Sequence, residues 1–428
     1  MASRFVSQRA LVESAAGGGA KVWQEIIKLS QQPHIVSNLG QGFPDFAGTR
    51  VAREAAARVL EGTDASSLKL NQYSPVSGTA RLRAALLRAW KSSAPASDAY
   101  TEEDNVVVTT SGTEGLYATM QACLNAGDEV LVMQPYFPWY VPCVRMAGAT
   151  PVCVSLEPGS WRIPFEALER AVTVKTKAVI VNTPHNPTGH VASAGELERL
   201  SRFCVEHNLL VVSDEVYEPF VFKRASGTDG ARHEHVRIAH LPGMQERTVT
   251  IGSASKMFSL TGWRVGFLYG PKALVSAVNI VHSYNSYCAP TPLQDGVAAA
   301  LEDMYCKGDS SEIWAEIKDL RDSFEDNARL LVDALRTVGV ESSVPDGGYF
   351  LVADVARFPL PGAPRGARTT DVDFSRWLAT RGVICVPMSC FYSLDGGPVP
   401  DSLVRFAICK RKETILKAVE AISAGRSC

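Results

Sequence analysis

The sequence lacks four things, and each absence removes a class of function. It has no Lys/Arg-rich run: 43 basic residues balance 45 acidic ones for a formal charge of −2 over 428 residues. Without a basic stripe it carries no electrostatic footprint for nucleic acid or an anionic membrane surface, so the expected partner is a small molecule. It has no CxxC pair or zinc-like spacing; its ten cysteines are scattered. They read as free thiols in a reducing compartment, most of them serving as small buried hydrophobes. No apolar run approaches the ~18 residues that a spanning helix needs. Neither GxGxxG nor GxxxxGK[ST] occurs, and "GGGA" and "GQG" fit neither pattern, which sets aside the obvious nicotinamide and nucleotide readings. The first stretch, "MASRFVSQRALVESAAGGG", carries Arg4 and Arg9 with no acid before Glu13. It is similar to a short organellar presequence but lacks an amphipathic arginine series, so the expected location is the cytoplasm, with the mitochondrion as the alternative.

What the chain does have is alternation. From about residue 104, short β-branched runs ("NVVVTT", "DEVLVM", "TPVCVSL", "KAVIVNT", "NLLVVSD", "RTVTIGS", "WRVGFLYG") take turns with helix-like segments such as "GLYATMQACLNA" and "AGELERLSRFCVEH". Strands that are apolar along their whole length, separated by helices, predict an α/β fold with a mostly parallel sheet covered on both faces. After Pro292 the pattern shifts to long helical segments, notably "EIWAEIKDLRDSFEDNARLLVDALRTVG", and then to "GGYFLVADV" and "LVRFAICK", strands of a smaller α+β domain. The expected division is 46–310 for the large domain, with 1–45 and 311–428 forming the small one. "KRASGTDGARHEH" (223–235) and "LPGAPRGARTTD" (360–371) read as surface loops.

In an open α/β sheet, ligands bind beyond the carboxyl ends of the strands. Four runs end there in polar residues. "VVVTTSGTEG" ends in a turn opening a helix, whose free N–H groups and positive dipole end suit a phosphate. "AVIVNTPHNPTG" ends in a proline-bracketed turn carrying Asn186, and "LLVVSDEVY" ends with Asp214 and Tyr217. "TVTIGSASK" ends with Ser253 and Lys256, a lysine set among small residues after a buried strand, where desolvation lowers its pKa and frees the neutral amine. Singly, each has an ordinary reading: Asp214 as a helix cap, Asn186 as a turn residue, Lys256 as one surface cation among many. Jointly they supply what pyridoxal 5′-phosphate (PLP) requires: a lysine for its aldehyde, a carboxylate for its pyridine nitrogen, donors for its phenolic oxygen and an anion site for its phosphate. A lysine enzyme without cofactor, such as an aldolase, needs no such set.

"NLGQGFPDF" (38–46), "NQYSPVSGTARLR" (71–83), "NTPHNPTG" (182–189), "SDEVY" (213–217), "SASKMFSLTGWRVG" and the late "RFA" around Arg405 resemble the motifs of class I, fold-type I PLP-dependent aminotransferases, over almost the whole chain. Within that class the likeness is to the kynurenine aminotransferase group, also called glutamine transaminase K or cysteine-S-conjugate β-lyase. The resemblance implies PLP-transferase fold type I with a seven-stranded sheet, and a ping-pong transaminase taking an aromatic or long uncharged L-amino acid (kynurenine, glutamine or phenylalanine type) and a 2-oxo acid. It also implies β-lyase side activity. The alternatives are an enzyme of the same class using aspartate or alanine, and a PLP-binding regulatory domain without turnover.

Carried over by position, the resemblance makes Lys256 the lysine that holds the cofactor covalently and shuttles the proton, and Asp214 the partner of the pyridine nitrogen. Asn186 and Tyr217 would hold the phenolic oxygen. Gly112, Thr113, Ser253 and Arg264 would bind the phosphate, joined by Tyr73 from a second subunit of a homodimer with shared sites. Phe137 would stack on the ring. Arg405 would grip the substrate carboxylate with Gly40 and Asn186, and Trp23, Tyr73, Tyr287 and Phe350 would surround the substrate side chain. Where close relatives carry Phe-His ahead of Pro-Thr, this chain has Tyr287 and Cys288.

Overall fold

The computed structural model describes residues 5–7, 10, 18–95, 98–223, 235–362, 364, 366 and 368–423. Most of the presequence-like stretch, most of the loop 223–235 and parts of the loop 360–371 lie outside the described residues.

Thirteen strands run β1 (Ser37–Asn38), β2 (Val106–Thr109), β3 (Glu129–Gln134), β4 (Thr150–Ser155), β5 (Thr176–Asn182), β6 (Leu210–Asp214), β7 (Thr248–Ser253), β8 (Gly266–Tyr269), β9 (Glu341–Ser342), β10 (Phe350–Asp354), β11 (Val383–Ile384), β12 (Val386–Pro387) and β13 (Leu403–Ala407) among the described residues. Seven of them form one sheet in the order β2-β8-β7-β6-β5-β3-β4. The pairs β3/β4, β3/β5, β5/β6 and β6/β7 are parallel, while β8 runs antiparallel between β2 and β7.

Side-chain alternation explains why these strands are apolar throughout. Val130, Val132, Ala178, Ile180 and Val212 pack on one face with Leu116, Met120, Tyr140 and Val144. Their neighbours Leu131, Met133, Val179, Val181 and Val211 pack on the other with Leu168, Leu197, Leu200 and Phe203. Helices therefore cover both faces, and each fully buried Val, Leu or Ile contributes about 1.5–3 kcal/mol.

One strand is shorter than its sequence suggests. In "GWRVGFLYG" a helical turn takes Thr261–Trp263, Arg264 adopts left-handed φ 56° and ψ 43°, and pairing begins only at Gly266. Gly266 is needed where pairing starts, because a Cβ there would lie 2.2 Å from the Ser111 carbonyl carbon at the exit of the adjacent strand β2.

A second, antiparallel sheet has the order β12-β13-β10-β9, and β1 pairs in parallel with β11. The helix Glu312–Thr337, capped by Ser311, packs Phe324, Leu331 and Leu335 against Leu351, Phe374 and Phe406. Leu39 and Tyr217 join that same cluster. This brings the segment after β1, and the ends of β10 and β13, over the carboxyl ends of β5, β6 and β7. Among the described residues no helix is long and apolar enough to cross a membrane, and the nine described cysteines are free thiols.

Candidate active site

The strand ends meet in a cavity of about 510 Å³. Gly112, Thr113, Phe137, Asn186, Asp214, Tyr217, Ser253, Lys256 and Arg264 line it from the large sheet's side, and Trp23, Phe350 and Arg405 line it from the other.

Asp214 closes β6, where Asn182 is its register partner at the end of β5. The Asn182 side chain donates from Nδ2 to the Asp214 carbonyl (2.8 Å) and accepts the Asn186 N–H at Oδ1 (2.8 Å), so one amide locks two strand exits together. The Asp214 carboxylate accepts the Tyr140 hydroxyl at 2.6 Å and the Val216 N–H at 3.3 Å. Burial pushes Asp214 up to about 6, against the pull of those two donors.

Lys256 lies in the short helix Ala254–Met257 that follows β7, and its Nζ donates to the Gly42 carbonyl at 2.8 Å. Burial lowers its pKa to about 8; Arg405 and Arg264 push the same way, while Cys409 and Asp214 oppose them. Tyr349 fixes the helix by donating its hydroxyl to the Lys256 carbonyl at 2.8 Å.

The anion cradle is built where Ser111, at φ 84°, turns β2 into the helix Gly112–Cys123. Gly112 and Thr113 present the unbonded first N–H groups of that helix. Ser253 caps Ser255 N–H at 3.2 Å, and the Ser255 hydroxyl is buried in the cavity wall with no protein partner. Arg264 lines the same region.

Arg405 is buried on β13. Its Nη1 donates to Asn186 Oδ1 (2.9 Å) and its Nη2 to the Gly40 carbonyl (2.7 Å). Its guanidinium carbon lies 3.9 Å from the Phe350 ring centre, 4.6 Å from Phe391 and 5.7 Å from Trp23. Burial in this cage lowers its pKa to about 10. Phe137 stacks with Trp139, 4.9 Å between centroids and 16° between planes, at the cavity wall.

Three of the expected residues stand apart from the cavity. Gly40 reaches it only through Arg405. Tyr73 and Tyr287 pack edge to face at 5.3 Å outside it, 83% and 49% exposed. Among the lining or supporting residues that escape the sequence reading are Trp139, Tyr140, Asn182, Ser255 and Phe391. Ser255 had a signal, as the second serine of "SASK", and Tyr140 stands three residues after Phe137; nothing local marks Phe391. Elsewhere, the acids Glu215 and Glu218 gather around His235, and Arg237 already balances them, with Nη2 2.6 Å from Glu218.

The sequence profile of the family "Aminotransferase class I and II" matches residues 34–422. The kynurenine–oxoglutarate transaminase of Dictyostelium discoideum is 36% identical, covering 94% of this chain and 93% of that protein. Human kynurenine–oxoglutarate transaminase 1 is 34% identical over 92% of this chain and 93% of its own length. Among solved structures, N-succinyldiaminopimelate aminotransferase from Mycobacterium tuberculosis superposes with a TM-score of 0.82 at 36% identity, covering 94% of this chain and 96% of that one.

Proposed function

Because the chain belongs to the class I and II aminotransferases, and is thus a PLP-dependent transaminase, we propose that it moves the amino group of kynurenine, or of a similarly aromatic or long uncharged L-amino acid, to a 2-oxo acid. The observation that carries the substrate reading is the cavity lining. Its walls beside Arg405 are Trp23, Phe350 and Phe391, and its only cations among the described residues are Lys256, Arg264 and Arg405. Each of these already has a task, so one chain offers no further cation to a second carboxylate, as an aspartate donor would require. The relatives named for kynurenine support the same choice.

The residues fit the cofactor. A lysine titrating near 8, a buried carboxylate, helix N–H groups and the unpartnered Ser255 hydroxyl are the donor set that an aldehyde, a pyridine nitrogen and a phosphate call for. When bound, PLP supplies an electron sink for the bond broken at substrate Cα. Lys256 Nζ removes the proton at substrate Cα and carries it onward. Asp214 would hold a proton on the pyridine nitrogen, and Tyr140 donates to Asp214 Oδ2. Arg405 and Asn186 orient the substrate carboxylate, and the aromatic cage keeps water from the guanidinium. We assign Gly112, Thr113, Ser253, Ser255 and Arg264 to the phosphate, Phe137 to the ring face, and Tyr217 with Asn186 to the phenolic oxygen. Residues 46–310 are taken as the cofactor-binding domain, with 1–45 and 311–428 as the smaller one. Exposed Tyr73 and Tyr287 are taken as elements completed by a second copy in a homodimer, and free thiols favour the cytoplasm.

Initial rates with 2-oxoglutarate test the donor assignment. The best of L-kynurenine, L-glutamine and L-phenylalanine is expected to exceed L-aspartate in kcat/KM by about tenfold or more, the scale of discrimination a pocket of this kind supplies. Preference for aspartate would overturn it.

Tyr140→Phe removes the short bond to Asp214 without emptying the space. A hydrogen bond to a charged group is worth about 1.5–3 kcal/mol, so kcat is expected to fall by about 10–100-fold with KM little changed. An unaltered kcat would show that Asp214 needs no such support.

A further inference from the structure

His190 is a half-buried histidine that the reaction does not use, and it stands where the two sides of the cavity join. The turn from Asn182 to His190 carries Asn186, and it lies against the bend leading into β10, which begins with Phe350. The contact is backbone to backbone: Gly347 N–H donates to the Gly189 carbonyl at 2.9 Å. At Gly189 (φ +74°), an added Cβ would sit 2.6 Å from the Phe350 carbonyl oxygen. Beside this seam His190 Nδ1 is hydrogen-bonded to Asp346 Oδ2 at 3.1 Å, while its Nε2 makes no hydrogen bond among the described residues and lies at ion-pair distance, 3.6 Å, from Glu196 Oε2. Asp346 belongs to the bend before β10, and Glu196 to the first turn of the helix Ala194–Glu206. One imidazole therefore stands between three segments, hydrogen-bonded to Asp346 and facing the Glu196 carboxylate. Asn186 and Phe350, carried by two of these segments, flank Arg405 at 2.9 Å and 3.9 Å.

We propose that His190 is a positioning residue: as imidazolium it clasps Asp346 and Glu196, and so holds Asn186 and Phe350 in place around Arg405, coupling affinity for the substrate carboxylate to pH. The proposal rests on the transaminase reading only in assigning Arg405 to that carboxylate.

The charges around the ring support it. Burial disfavours the cation, but the two carboxylates outweigh burial and push His190 up to about 9. Glu196, raised by burial, is brought down to about 2 by His190 and Ser193. The other titratable groups beside it are His185, lowered by burial to about 3, and Tyr140, raised far above the working range; both stay neutral. Both border, with His190, a small cavity of about 20 Å³. Since the folded pKa is raised, the clasp stabilises fully below the ordinary value of 6.5 and is lost as pH rises through about 9.

The experiment compares PLP-loaded wild type, His190→Gln and His190→Lys from pH 7 to pH 10. The lysine variant keeps a cation throughout the range. At pH 7, H190Q is expected to raise the amino-donor KM about fivefold with kcat changed less than about twofold, the pattern of lost ground-state positioning. The ratio of wild-type KM to H190K KM is expected to be flat to about pH 8 and to climb about fivefold by about pH 10. Melting temperature gives a reading independent of turnover: the wild type should melt above H190Q at pH 7, and the gap should close by pH 10. A pH-independent KM ratio, or an H190Q variant with wild-type KM at pH 7, would overturn the proposal. Absence of transfer with every donor would instead count against the transaminase reading, while the melting gap would still decide the clasp.

Discussion

Lys256→Ala is expected to lower kcat by about 10⁴-fold or more, the upper range for removal of a proton-transferring side chain, while the fold and the non-covalent site remain. The physical basis is position and charge. Lys256 stands at the exit of a fully buried strand, and burial has brought its amine to about 8, with Arg264 and Arg405 adding their repulsion. No other amine lines the cavity among the described residues. Lys410, the next buried lysine, donates instead to the Phe43 carbonyl at 2.6 Å with that residue's ring 4.0 Å away, and serves the chain's own backbone. Added methylamine is expected to restore part of the K256A rate by acting as a free base in the vacated space. Steady-state turnover with and without the amine checks this; a variant retaining a tenth of the wild-type rate unaided would refute the role.

Arg405→Lys is expected to lower kcat/KM by about 10²–10⁴-fold, the cost of breaking a buried, hydrogen-bonded charge pair at about 3–5 kcal/mol. The charge survives the substitution but the fork does not. Arg405 spans Asn186 Oδ1 and the Gly40 carbonyl while its flat face lies against Phe350 and Phe391. An ammonium offers no planar face for that cage and no paired donors for a carboxylate. Rates for L-kynurenine against its decarboxylated amine isolate the effect: the variant should lose its preference for the acid. Retention of that preference would place carboxylate recognition elsewhere.

Most of the cavity was legible because an open α/β sheet has one chemical end. Apolar runs that lead to Asn186, Asp214 and Ser253 announce the rim without any knowledge of packing, and Gly112 and Thr113 follow from the turn that opens their helix. Sequence fails where the partner is distant. Phe391 reaches Arg405 from a segment with no periodicity of its own, and Tyr140 touches Asp214 only because its helix folds over the sheet. Strand β8 is shorter than its apolar run, because a helical turn at Thr261–Trp263 and left-handed Arg264 precede it; the close approach of Gly266 to Ser111, far away along the chain, has no local signal. Tyr73 and Tyr287 were grouped with the pocket, yet within one chain they pair with each other outside it. Their exposure leaves them available to a second copy.

The most direct test of the central claim is borohydride reduction of the protein saturated with PLP, followed by peptide mapping. The account predicts a phosphopyridoxyl group on the peptide containing Lys256, and protection of that site from labelling once L-kynurenine has converted the cofactor to its amine form. Label on Lys410, or no label on any lysine, would contradict it.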